Sequence, residues 1–210
     1  MRTHRLLPRA LPVLLLGAIS VAACGGGGGS SDAKSTSTTV GEGTISFTAG
    51  PVSVQRTAAT GEAAPADVDA LLTAAAAYVR AASLDPMAGR SGSLRSITMS
   101  AAAARTTGAD ADALTDTGLG KVRDVRVVAK PAPVTILTDA DGAAVLGAVT
   151  IDVTITGDAA KGPITIHRTG ELAFTKGASG WSLDSWRLTV TRDGRGVPAA
   201  PRTSSTTKAP

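Results

Sequence analysis

Apolar residues recur along residues 65–83 with the spacing of an α-helix. Their offsets of 0, 3, 4, 7, 11 and 14 place them on one stripe of the helix surface: Val68, Leu71, Leu72, Ala75, Val79 and Ala82. Pro65 suits the first turn, and the residue before Pro86 is disfavoured in the α region. The sequence therefore predicts a helix over residues 65–83 that ends before Pro86 and buries one face.

The helical period continues more weakly after a loop. Residues 93–105 carry Leu94, Ile97, Ala101 and Ala104 at spacings of three and four, which predicts a second helix. A short third helix is expected over residues 109–116, before two glycines.

From residue 121 onward the period changes to two, which is typical of strands. The clearest case is 149–156, where valine and isoleucine alternate with threonine and aspartate, giving one apolar and one polar face. Further strands are expected around 125–129, 134–138, 164–174 and 181–190, with a bulge or kink at Gly170. Short turns between neighbouring strands favour antiparallel pairing.

The order of elements indicates an α+β domain over residues 65–193, with helices packed on a curved antiparallel sheet. Residues 45–64 alternate only loosely, which leaves an edge hairpin and an extended arm as alternatives. Residues 194–210 are rich in Pro, Ser and Thr, so we expect a disordered C-terminal tail.

The N-terminus has the pattern of a secretory signal peptide. A basic start precedes an apolar run over residues 11–23 that ends in small residues. The run of about 13 residues is shorter than the about 20 that a membrane-spanning helix needs. Residues 1–23 are therefore expected to direct export.

The sequence Val21-Ala22-Ala23-Cys24 resembles the lipobox of bacterial lipoproteins. The resemblance implies transfer of a diacylglyceryl group, with acyl chains such as palmitate, to the sulfur of Cys24. It also implies cleavage after Ala23 and anchoring on the outer face of the cytoplasmic membrane. Two acyl chains suffice for stable anchoring. The glycine-, serine- and threonine-rich residues 24–44 are expected to be a disordered linker between anchor and domain.

Processing at Cys24 changes what the charge implies. The chain has 21 basic and 17 acidic residues, and losing residues 1–23 removes three arginines and no acid. The mature chain is then nearly neutral, and with so few aromatic residues a nucleic-acid partner is not expected. One histidine remains and the only cysteine is acylated, so neither a metal nor another cofactor is expected.

Acidic residues and His167 give weak catalytic signals. With Ile164 and Ile166 inward, His167 is expected on the solvent side of its strand. Asp152 and Asp184 are the candidates for a general base, although no second acid accompanies them. Two aspartate clusters lack the closing glutamate of a calcium loop, so helix capping and a hairpin turn explain them better: Asp110, Asp112 and Asp116, and Asp139 and Asp141.

Trp181 and Trp186 are the best candidates for recognition. Their spacing of five places them on opposite faces of a regular strand, or on one face across a bulge. One is expected in the core, and the other is expected either as an exposed anchor or at the mouth of the curved sheet.

The long first helix, "SITMSAAAAR", "RTGELAF" and "GWSLDSWRLTVTRDG" together resemble exported actinobacterial domains of the nuclear-transport-factor-two-like superfamily, of the mammalian-cell-entry-associated type. The resemblance covers residues 65–193 and implies a cystatin-like cone. That fold hosts enzymes and binding modules alike. A non-enzymatic, membrane-anchored module that binds an envelope protein or component is favoured. The alternatives are a carrier of a small apolar ligand or lipid in the cone and, third, an enzyme with an aspartate base.

Overall fold

The computed structural model describes residues 36–39, 45–56, 64–91, 94–105 and 114–198. Within them lie seven strands and one long helix with a short continuation. They are β1 (Thr36–Thr39), β2 (Ala49–Arg56), α1 (Pro65–Val79), α2 (Asp85–Met87), β3 (Arg123–Ala129), β4 (Ala132–Thr138), β5 (Ala144–Ala159), β6 (Gly162–Gly177) and β7 (Gly180–Asp193). The α+β class is confirmed.

Helix α1 forms where the apolar stripe predicts it, and its buried side chains include Tyr78 together with the predicted valines and leucines. The predicted end before Pro86 is wrong. The chain continues through a π-helical turn, Arg80–Leu84, into α2, where Pro86 lies in the first turn. A proline in a first turn needs no amide donor, and the wider π turn leaves room for its ring.

The sheet is built around β5. Strand β6 pairs with β5 along nearly its whole length, and β7 pairs with β6. The other edge of β5 pairs with β4 in its first half and with β3 in its second half. Strand β1 extends the sheet beyond β3, and β2 extends it beyond β4.

The sheet is mixed, which corrects the expectation of a purely antiparallel one. Strand β2 runs parallel to β4, whereas the other pairs are antiparallel. The chain between β2 and β4 contains α1 and β3 and is long enough for the crossover that parallel pairing requires. Residues 49–56 therefore form a single edge strand, neither a hairpin nor a free arm.

The core lies between α1 and the inner face of the sheet. The four apolar residues predicted to face inward on β5 have no exposed surface: Val149, Ile151, Val153 and Ile155. Burial of each such side chain stabilises the fold by about 1.5–3 kcal/mol. At Gly147 the helix and the sheet approach so closely that an added Cβ would lie 2.6 Å from Leu71 Cδ1.

The predicted second helix is interrupted. Leu94–Ser96 form a 3-10 turn, residues 101–105 are helical, and Met99 between them forms a bridge with Leu183 of β7. The amide of Leu183 donates to Thr98 O at 2.9 Å, so the edge of β7 holds this segment extended. Most of the predicted third helix lies outside the described residues, and a 3-10 turn follows at Thr117–Leu119.

The fold extends beyond residues 65–193 at both ends. Ile45 and Phe47 are buried in the core, and Val197 packs against it. Strand β1 lies inside the predicted linker 24–44. Outside the described residues lie residues 1–23, which are predicted to be a signal peptide, and residues 199–210.

Candidate functional site

An arginine occupies a core position on the inner face of the sheet. Along β6 the inward row is apolar, except that Arg168 stands in it with a side chain that has no exposed surface: Ile164, Ile166, Arg168, Leu172 and Phe174. A buried guanidinium carries a large desolvation cost unless it is paired and hydrogen-bonded. Its surroundings must therefore provide an anion and acceptors.

Four hydrogen bonds hold the Arg168 guanidinium. Its Nε donates to Ser83 Oγ at 2.8 Å and its Nη2 to Asp116 Oδ2 at 2.6 Å. Its Nη1 donates to Tyr78 Oη at 3.0 Å and to Leu114 O at 2.9 Å. A guanidinium has five N–H donors, so these contacts use most of its capacity.

Asp116 is the anion at the centre of the network. Its Oδ2 also accepts from Ser83 Oγ at 2.6 Å, and its Oδ1 accepts from Arg192 Nε at 2.6 Å. Arg192 Nη2 donates in addition to Thr115 O at 3.0 Å. Two guanidiniums thus share one carboxylate. Arg192 keeps 23% of its side chain exposed, so water solvates the excess positive charge on that side.

The π-helical turn positions this network. Ser83 lies within the turn and Tyr78 in the last turn of α1. Because Pro86 has no amide hydrogen, the carbonyl of Ala82 is free to accept from the Asp116 amide, at 2.8 Å. That bond brings the Asp116 carboxylate to Arg168. Irregular helical turns often occur where a side chain has a special role.

The capping interpretation of Asp116 is wrong. Asp116 precedes the 3-10 turn Thr117–Leu119, but its side chain makes no capping hydrogen bond there and binds the two arginines instead. Sequence reasoning also missed Arg168. The signal was present, because Arg168 shares the parity of the inward isoleucines on β6.

Tyr78 is kept in its neutral form. Burial raises the pKa of its hydroxyl, and the neighbouring Arg168 opposes this only in part. The neutral hydroxyl accepts from Arg168 and donates to Leu114 O at 3.4 Å. Both hydrogen bonds of the hydroxyl are therefore made within the network. The network therefore links α1, the Leu114–Asp116 segment and the sheet through buried hydrogen bonds.

The outer face of the sheet carries a second polar cluster. Asp152 Oδ1 lies 2.9 Å from His167 Nε2, and Asp152 Oδ2 accepts from Lys130 Nζ at 2.6 Å. His167 is 42% exposed, which confirms its predicted solvent-side position. The Lys130 ammonium, with a smaller contribution from His167, lowers the pKa of Asp152 against an opposing effect of burial. Both carboxylate oxygens of Asp152 are therefore already engaged, one by Lys130 and the other by His167.

Threonines surround this outer cluster. His167 lies between Thr154 and Thr191 on the neighbouring strands, and Thr169 lies between Asp152 and Thr189. Directly opposed side chains on one face of a sheet lie side by side. The arrangement presents hydroxyl, carboxylate, imidazole and ammonium groups on one polar surface, which we call the outer face.

Both tryptophans lie on the inner side of β7. The register shifts at Asp184, since Phe174 pairs with Leu183 while Ala173 pairs with Ser185. This bulge places Trp181 and Trp186 on one face. Trp181 is buried, with Lys176 Nζ 5.6 Å from its ring centroid, and Trp186 is half-buried against the core. Neither is an exposed anchor, and Asp184 is the half-buried extra residue of the bulge.

The remaining candidate residues either lie in a turn or fall outside the described residues. Asp139 Oδ1 accepts from the amides of Asp141 and Ala143, which confirms a turn there. Cys24, Ala23, Asp110 and Asp112 lie outside the described residues. Within the described ranges, no group of three or more His, Cys, Asp or Glu could hold a metal, and no helix is long and apolar enough to cross a membrane.

In comparisons with known protein families, with curated proteins and with solved structures, nothing matches the chain.

Proposed function

We propose that the protein is an extracytoplasmic lipoprotein whose folded domain is a non-enzymatic interaction module of the cell envelope. Cleavage after Ala23 and acylation of Cys24 anchor it to the outer face of the cytoplasmic membrane. The basic start, the apolar run of about 13 residues and the lipobox-like Val21-Ala22-Ala23-Cys24 support this anchoring.

The single observation that supports a binding module best is the complete burial of the inner side along β5. The inward row of β5 has no exposed surface, and Arg168 and Asp116 consume each other's hydrogen-bonding capacity there. A carrier of a small apolar ligand needs an interior that side chains do not fill, so the packing disfavours that alternative. The polar groups that we propose for recognition lie on the outer face.

The partner we propose is an envelope protein with a polar surface. Lys130, Asp152 and His167 offer both signs of charge, and the flanking threonines offer hydroxyl donors and acceptors. Such groups give specificity and orientation rather than large affinity. The helix-on-sheet architecture also supports the finer proposal that the fold is a cystatin-like cone of the nuclear-transport-factor-two-like type.

Fractionation tests the anchor. In a Cys24→Ala variant no thiol is available to receive the diacylglyceryl group, so the protein should move to the soluble fraction or accumulate as an uncleaved precursor. A Ser30→Ala variant in the linker is the matched control and should stay in the membrane. A Cys24→Ala protein that is processed and remains membrane-bound as before would show that the cysteine is not the anchor.

Site-specific photo-crosslinking in intact membranes tests the module. A crosslinker at Thr154, beside His167 on the outer face, should capture one envelope protein reproducibly. A crosslinker at the exposed Lys161, in the turn between β5 and β6, is the control and should not capture it. The proposal fails if Thr154 captures nothing reproducible, or if both positions capture the same set of proteins.

A further inference from the structure

Strand β7 forms a long free edge of the sheet. Its first part is covered, because Leu183 exchanges backbone hydrogen bonds with Thr98 and Ser100. In the described part of the chain, residues 185–191 pair with β6 on one side and have no strand partner on the other. An edge of this kind offers unpaired backbone donors and acceptors to another strand.

Strand β2, at another edge of the sheet, is protected against pairing with a further strand, whereas residues 185–191 of β7 are not. Strand β2 contains Gly50 and Pro51, and a proline removes a backbone donor and blunts an edge. Residues 185–193 contain neither proline nor glycine. Their inward side chains at Trp186, Leu188 and Val190 are half-buried and pack against the core. The apolar inner layer thus reaches the free edge and stops there incompletely covered.

The charges along this edge complement themselves under a two-fold rotation. Arg187 and Asp193 are exposed and lie six residues apart, so both point to the outer face. If two copies of β7 pair antiparallel with Val190 opposite Val190, Arg187 of each copy lies opposite Asp193 of the other. In the register centred one residue earlier, Arg187 lies opposite a threonine and both ion pairs are lost.

We propose that the protein forms a homodimer through β7, with the two sheets joined into one continuous sheet across Val190. Thr189 then lies opposite Thr191 of the second copy, and the two Arg187–Asp193 pairs flank the axis on the outer face. On the inner face, the half-buried Val190 gains cover from Val190 of the second copy, and Leu188 lies opposite Arg192 of the second copy. An isologous contact of this kind closes on itself and stops at two copies.

Charge reversal tests the contact without disturbing the core. Sedimentation equilibrium of the full chain with Cys24→Ala should show a monomer–dimer equilibrium. An Asp193→Arg variant places arginine opposite arginine twice, and loss of two exposed pairs plus repulsion should raise the dimer dissociation constant about tenfold. The swap Arg187→Asp/Asp193→Arg restores both pairs and should restore the dimer. Asp158→Arg, an equal charge change at an exposed position on β5, is the control and should leave the constant unchanged.

If the protein is a monomer at all concentrations tested, the proposal is wrong, even if another protein binds the edge of β7. So does an Asp193→Arg variant that dimerises as well as Asp158→Arg, or a swap variant that remains weak.

Disulfide trapping tests the register. With Cys24→Ala, an introduced cysteine is the only thiol in the chain. Directly opposed residues of an antiparallel pair have Cα atoms about 4.5–5.5 Å apart, which a disulfide can span. Val190→Cys should therefore form a disulfide-linked dimer in oxidising buffer, whereas Thr189→Cys should do so at least about tenfold more slowly. Faster linking at Thr189 would contradict the register, and linking at neither position would contradict the interface.

Discussion

Removing the Asp116 carboxylate tests the buried network most directly. In an Asp116→Ala variant the Arg168 guanidinium stays buried without its anion, and it keeps only the neutral acceptors of Ser83, Tyr78 and Leu114. Leaving one member of a buried ion pair uncompensated costs about 3–5 kcal/mol. Arg192 is partly exposed and can turn to water, so it adds at most about 1 kcal/mol.

The expected loss is a large share of the free energy of unfolding, which is about 5–15 kcal/mol for a domain. Urea unfolding followed by the fluorescence of Trp181 and Trp186 measures it, with linear extrapolation to zero denaturant. Asp158→Ala, at an exposed acid, is the control and should stay within about 0.5 kcal/mol of the parent chain.

A double-mutant cycle separates the pairing from general damage. Arg168→Met removes the buried cation, so Asp116→Ala in that background no longer isolates a charge. The double variant should therefore be more stable than the sum of the single losses predicts, by about 2 kcal/mol or more. An Asp116→Ala cost below about 1 kcal/mol, or losses that add within about 0.5 kcal/mol, would refute the account of the network.

Three further outcomes follow from single groups. Burial raises the pKa of Tyr78, the only tyrosine, above its ordinary value of 10.0. The folded protein should therefore keep the Tyr78 hydroxyl neutral at pH 10 and lose stability as the pH rises further. Tyrosinate absorbance that appears before the protein unfolds would contradict this. Because the pKa of Asp152 is lowered in the folded protein, its carboxylate contributes stability above about pH 3.8. This stability is lost as the pH falls through the pKa of Asp152 in the folded protein. Lys130→Met should raise that pKa, as measured by carboxyl carbon NMR, and an unmoved signal would show that Lys130 is not the cause. Gly170→Ala should lower the free energy of unfolding by about 1–3 kcal/mol. Gly170 has φ +134°, and an added Cβ would lie 2.1 Å from Arg187 O. A loss below about 0.5 kcal/mol in urea unfolding would contradict this prediction.

The elements that local pattern determines were predictable. Strand β5 follows its alternation because one face is buried, and a slip of one residue would expose every inward side chain. Helix α1 follows its apolar stripe for the same reason. The solvent-side position of His167 needed only the parity of its strand.

What failed depends on contacts between distant residues. The carbonyl of Ala82 in the π turn accepts from the distant Asp116 amide, and the interrupted second helix forms a bridge between Met99 and Leu183. Arg168 meets Ser83 and Asp116, which lie 85 and 52 residues away along the chain. The parity of Arg168 marks it as inward, but no local pattern names its partners.

The π-helical turn also has a consequence for chain length. A turn closed by a bond over five residues holds one residue more than an α turn, so it shifts the phase of everything after it by about 100°. The buried side chains that follow the turn therefore share the core with the stripe of α1 because of that additional residue. Deleting one residue here would rotate Met87 and its neighbours away from the core while leaving every side chain chemically intact. The number of residues between Tyr78 and Pro86 is thus as tightly constrained as the volume of any side chain in the core.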